Sequence, residues 1–176
     1  TKLTEHDGAD SDPYSVSRPE WSPNGEKIAY VRSGDPSLIW YSISQIAITD
    51  VKNRSTELIT NHLDRNTSFP MWSDDGSSLL FVIEDDRKSQ LAIFKNNKIS
   101  KLTDDTKYVS NYSKAYDIEG DVIALLLSSS ESPEELYILD QENLKKISDH
   151  NEELLNKRKF NPIEKISFNS FDGAQI

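Results

Sequence analysis

The chain has 176 residues, of which 35% are hydrophobic and 9% aromatic, enough for a domain with a core of its own and too many for a disordered chain. Twenty Lys and Arg stand against thirty Asp and Glu, a net charge of −10, so no nucleic-acid or anionic membrane partner is expected. Cysteine is absent, which removes disulfides and thiolate metal sites, and the sequence shows neither a leader at Thr1 nor an apolar run near the ~18 residues of a membrane span.

In chain order, residues 1–4 carry Lys2-Leu3-Thr4, expected as the last strand of a preceding unit. Residues 19–31 read as a hairpin. A short strand ends at Trp21-Ser22, Gly25 takes the turn position that tolerates positive φ, and Ile28-Ala29-Tyr30-Val31 forms a β-branched and aromatic return strand. Strands at 45–50 and 57–60 complete a unit over 19–62. The pattern then repeats, with Trp72 and Gly76 each 51 positions after Trp21 and Gly25, and strands at 90–94 and 100–103 complete a second unit over 69–106. A degenerate third unit over 108–150 has lost its Trp, turns at Gly120, and has strands at 122–127, 135–140 and 145–148. Residues 151–176 read as a linker, in which Ile166 and Phe168 alternate with polar neighbours and Asp172-Gly173 makes a hairpin turn whose partner strand is missing.

A period of about 40 to 50 residues built from four strands predicts an all-β fold, a partial β-propeller of about three four-stranded antiparallel blades. A sandwich is the rival architecture. A closed ring takes about four to eight blades, so the missing ones are expected from a longer parent or another copy, with self-association possible through the open edges.

The Pro-x-Trp-Ser run from Pro19 to Tyr30 and its copy from Pro70 to Phe81 resemble the WD-like blade signature of TolB-type propellers. The end of the chain, Asn151-Glu152-Glu153-Leu154-Leu155 and then the alternating segment from Ile163 to Asp172-Gly173, is similar to a junction found in the prolyl oligopeptidase family of serine peptidases. There, as in its acylaminoacyl-peptidase and dipeptidyl-peptidase-like branches, a propeller passes into an α/β-hydrolase domain. The resemblance implies that this chain ends at the start of such a domain, which is absent. It implies as partners the hydrolase domain of the same parent chain and a peptide substrate, which the propeller restricts and orients over the active site. The triad would lie beyond Ile176, so the chain as given is expected to be inactive and to use no cofactor. The alternative is a TolB-like propeller acting as a protein-binding module with no hydrolase attached.

No Gly-x-Ser-x-Gly elbow occurs, and Gly76-Ser77-Ser78 reads as a turn entering a strand. His6, His62 and His150 share one repeat position, but on blades that radiate apart they are expected to serve turns, not one metal ion. Asp7, Asp10 and Asp12 lack the spacing of a calcium loop and read as a solvated acidic segment. The long connection from Arg32 to Ser44 carries Trp40 and Tyr41, the candidate substrate- or partner-binding residues. The sequence equally allows Leu38-Ile39-Trp40-Tyr41 to extend a strand into the core.

Overall fold

In the computed structural model, the described residues are 2–5, 10, 17–104, 106–110, 113–158 and 160–176. They form three antiparallel sheets. The first blade holds β1 (Glu20–Trp21), β2 (Lys27–Arg32), β3 (Gln45–Asp50) and β4 (Thr56–Leu58), in sequential order. The second holds β5 (Thr67–Trp72), β6 (Ser78–Asp85), β7 (Lys88–Lys95) and β8 (Lys98–Lys101). In the third, β9 (Tyr108–Val109) and β10 (Tyr116–Glu119) both pair with β11 (Val122–Ser129), followed by β12 (Ser132–Asp140) and β13 (Asn143–Lys146). A short helix, α1 (Glu152–Lys157), follows the last strand.

Alternation of side chains along each strand gives every sheet two apolar faces, which is why the sheets stack. Ala29, Val31, Ile46, Ile48 and Ile59 of the first blade meet Leu79, Phe81, Ile83 and Ala92 of the second. The other face of the second blade, with Met71, Leu80, Val82 and Leu91, packs on Tyr116, Ile123, Leu125, Leu127 and Leu139 of the third. An aromatic donor crosses each interface. Trp72 Nε1 donates to the Glu20 carbonyl at 3.3 Å, and the Tyr116 hydroxyl donates to the Phe69 carbonyl. Tyr116 stands four residues before its turn glycine, as Trp21 and Trp72 do, but it pairs with Leu125, nine positions on, where Trp72 pairs with Leu79, seven on, so the third blade makes its bond from a different place on the strand.

The recurring Trp-Ser-turn segment has a local cause. The Ser22 hydroxyl accepts from the Lys27 amide at 2.9 Å and donates to Asn24 Oδ1, which accepts from the Glu26 amide, while Gly25 sits at φ 69°. Ser73, Asp75, Ser77, Ser78 and Gly76, at φ 67°, reproduce this turn. The seryl groups of Gly76-Ser77-Ser78 thus belong to a turn.

Lys2-Leu3-Thr4, expected as the last strand of a preceding unit, forms no regular strand, and residues 2–5 lie beside Tyr30, Arg32, Asn53, Arg54 and Thr56. The return arm after Asp172-Gly173 has already begun at 174–176, contrary to the expectation that it is missing. Gly173 has φ 85°, Asn169 bridges Gln175, and the Phe168 and Ile176 backbones exchange two hydrogen bonds of 2.9 Å.

Candidate functional site

Antiparallel alternation places the β2–β3 connection, the β6–β7 turn, the turns that follow β4 and β8, and the exit from β13 at one end of the three sheets. The β2–β3 connection is the longest of them. Asp35 starts it with a local turn, its Oδ1 accepting from the Ser37 amide at 2.8 Å, and bonds from the Ser37 hydroxyl first and then from this amide hold the Asp35 carboxyl below its usual pKa. Pro36 then opens a 3-10 helix, Pro36–Tyr41, so residues 38–41 do not extend a strand. Tyr41 is 88% exposed and Leu38 half exposed; the side chain of Trp40 lies outside the described residues. The neck of this loop is tight. A Cβ at Gly34 would lie 2.7 Å from Ser42 Oγ, and that hydroxyl is buried with no hydrogen-bond partner among the described residues.

The loop is tied to the second blade. Asn66 Oδ1 accepts from the Ser44 amide at 3.0 Å, the Thr67 amide donates to the Ser44 carbonyl at 2.8 Å, and the Asn66 carbonyl accepts from the Glu84 amide. Beside it, Asp85 accepts from Arg65 at 2.6 Å and from Lys101 at 2.7 Å, which holds its pKa at about 2. Asp86 in the adjoining turn pairs with Lys165 at 2.6 Å, so the segment after α1 returns across this same end.

The exit from the last blade is held by Glu135, a residue the sequence reading passed over. It is 1% exposed. Its carboxylate accepts from the Ser148 hydroxyl, from the His150 amide at 3.1 Å, and from the Asn151 amide and side chain at 2.8 and 3.0 Å. The Ser148 hydroxyl bond first, then the Asn151 and His150 amides, bring its pKa to about 2. The sequence signal was a spacing, because Gln45, Gln90 and Glu135 follow one another at intervals of 45. In all three blades the next amide is capped by a hydroxyl: Ile46 by Thr60, Leu91 by Thr103 and Leu136 by Ser148. Only the third blade carries an acid there, and only there does the chain leave the repeat.

His62 and His150 are exposed on separate blades, and no three His, Cys, Asp or Glu among the described residues are grouped to hold a metal. His6, Asp7 and Asp12 lie outside the described residues; Asp10 accepts from the Thr4 hydroxyl. A cleft of about 300 Å³ lies at the opposite end, between the second and third blades, remote from Tyr41. Its Asp74 is engaged by the Gly120 amide at 2.9 Å, so it reads as a seam between turns.

No family model matches the sequence. Among solved structures, the acylaminoacyl peptidase of Pyrococcus horikoshii superposes with a TM-score of 0.71 at 18% identity, over 92% of this chain and 24% of that one. TolB from Acinetobacter baumannii gives 0.58 at 17% identity over 91% of this chain and 36% of that one. The β-propeller domain of the Trilobed protease from Pyrococcus furiosus gives 0.58 at 18% identity over 72% and 36%. The fold is a partial β-propeller. At these identities the likeness concerns architecture alone, and the propeller described here spans about a quarter to a third of the length of those relatives.

Proposed function

We propose that this chain is the non-catalytic propeller segment of a prolyl-oligopeptidase-like serine peptidase, restricting and orienting peptide substrates over the active site of a hydrolase domain. The observation that carries this reading is the tail. After the Glu135 clamp and α1 it presents Ile163, Ile166, Phe168, Phe171 and Ile176, all more than half exposed, in a segment ending as a hairpin. A run of large exposed apolar side chains of this kind marks a surface that another layer covers. Lys165 holds this segment at the end of the sheets that also bears Tyr41, so a domain grown from it would face the Pro36–Tyr41 loop. Two buried inter-blade cores make the platform rigid, and a rigid rim over a concave site selects by size and adds orientation without bond chemistry.

The test compares this chain with one extended through its native downstream sequence, each treated with a fluorophosphonate probe. Labelling is expected in the longer polypeptide, downstream of Ile176, and in no serine of the present chain. Replacing residues 36–41 by a short Gly-Ser link in the longer form should raise kcat/KM for long peptides several-fold and leave a small ester substrate unchanged. A longer polypeptide that stays unlabelled would favour the TolB-like protein-binding module, with the same loop as its docking element.

A further inference from the structure

The first strands of the first two blades, β1 and β5, and β10 of the third are edge strands, and their edges meet in one cleft. It has a volume of about 320 Å³ and is lined by Arg18 and Glu20 of the first blade, Phe69 and Pro70 of the second, and Ser113 and Lys114 from the link between β9 and β10. Glu20 Oε1 stands 3.9 Å from Lys114 Nζ, so the first and third blades approach one another here across the second.

The floor of the cleft is apolar and offers no backbone donor. Ser68 pairs with Val82 and Met71 with Leu80, which leaves Phe69 and Pro70 bulged out of the ladder. The Phe69 amide donates to Ser17 Oγ at 3.0 Å, the Phe69 carbonyl accepts from the Tyr116 hydroxyl, and Pro70 has no N–H. An extended peptide therefore finds no strand edge to join at this point, and recognition falls to side chains. Phe69 and Pro70 are themselves buried, so the floor is firmly packed.

The charges on the rim are unequal. Arg18 is exposed and has no ion pair among the described residues. Lys114 and Glu20 form a loose pair, with side chains 41% and 37% exposed, and a pair so open to water contributes little and exchanges readily. Two cations against one carboxylate make this a positive site on a chain of net charge −10. The planar guanidinium of Arg18 suits a carboxylate in particular, because its fork of N–H groups matches the two oxygens.

We infer that this cleft binds a carboxylate, with Arg18 as the main donor, Lys114 and the Ser113 hydroxyl as further donors, and the apolar group next to the carboxylate resting on Phe69 and Pro70. Glu20 competes with the ligand for Lys114. Assigning the carboxylate to a peptide rests on the proposed function; the donor set does not.

The experiment is a titration of the 15N-labelled 176-residue chain, followed at the Phe69, Met71 and Lys114 amides and at Arg18 Nε. The probes are N-acetyl-alanyl-phenylalanine, its C-terminal amide, and N-acetylglutamic acid α-amide. The free dipeptide should give saturable shifts at these groups and its amide none. Saturation by the glutamic acid derivative assigns the carboxylate to an acidic side chain, and saturation by the dipeptide assigns it to a chain terminus. Affinity should fall about tenfold in Arg18→Gln, less in Lys114→Gln, and rise several-fold in Glu20→Gln, whose backbone carbonyl still accepts the Trp72 bond. Changes of opposite sign at neighbouring residues separate binding from loss of structure. Equal shifts with the dipeptide and its amide, no saturable shift with any probe, or one affinity shared by all three variants would overturn the inference. Carboxylate binding here, together with an extended polypeptide that stays unlabelled by the fluorophosphonate, would keep the site and discard the peptidase.

Discussion

Glu135 shows how one substitution within a repeat marks the point where the repeat ends. Gln45 and Gln90 occupy the equivalent position in blades that are followed by another blade; a carboxylate there can gather the hydroxyl and amides of the exit turn, as Glu135 does. Glu135→Gln should therefore lower the thermal midpoint by a few degrees and accelerate amide exchange at residues 148–151, measured by calorimetry and hydrogen exchange. An unchanged midpoint with unchanged exchange would refute the clamp. Three carboxyls, Glu135, Asp75 and Asp85, have folded pKa values lowered to about 2 by the Ser148, Ser73 and Arg65 hydrogen bonds respectively. A group whose folded pKa lies below its unfolded value stabilises the fold above the unfolded pKa and loses that contribution as the pH falls through the folded one. Stability should thus decline between roughly pH 4.5 and pH 2, with a shallower decline in Glu135→Gln, as read from urea unfolding along a pH series. At Phe69, φ is 54° at a bulge in β5, and the backbone is held on both sides by Ser17 and Tyr116, contacts 52 and 47 positions away that no local pattern announces.

Strand alternation decides which side chains matter at the scale of a single element. Leu125 and Leu126 are neighbours in β11, yet Leu125 is 1% exposed against the second blade and Leu126 is 38% exposed on the outer face. Leu125→Ala should cost about 2–5 kcal/mol and Leu126→Ala under about 1 kcal/mol in urea unfolding, a contrast that reversed register would invert. Gly76→Ala has space for its methyl group, since the nearest atom is 3.4 Å away, but φ 67° should cost about 1–2 kcal/mol, seen as a lower denaturation midpoint at constant m. Elements of this kind were legible in the sequence because hairpin chemistry is local. The Pro36–Tyr41 segment was not, for Leu38-Ile39-Trp40-Tyr41 has the composition of a strand, and the Asp35 turn and Pro36 determine its helical start. Glu135 was passed over for a related reason. Its spacing was visible, but its role depends on Ser148 folding back against it from 13 positions away.

For the molecule as a whole, the blades form a continuous stack through two cores, and the tail is attached more lightly. Lys165→Ala removes an exposed ion pair, so the thermal midpoint should not move, while limited proteolysis within residues 158–170 should become several-fold faster; equal cleavage rates would show that the pair does not hold the tail. By itself, the sequence determined that the chain is a repeat of four-stranded antiparallel units with Gly-centred hairpins, because the spacing of Trp, Ser and Gly and the period-two apolar pattern act within a few residues of one another. Only the tertiary structure decided which aromatic bonds to which blade, that Tyr116 makes this bond from a different strand position than Trp72, that residues 2–5 form no regular strand, and that the tail crosses the end bearing Tyr41. Those outcomes depend on contacts between residues tens of positions apart, whose partners are chosen by the stacking of whole sheets.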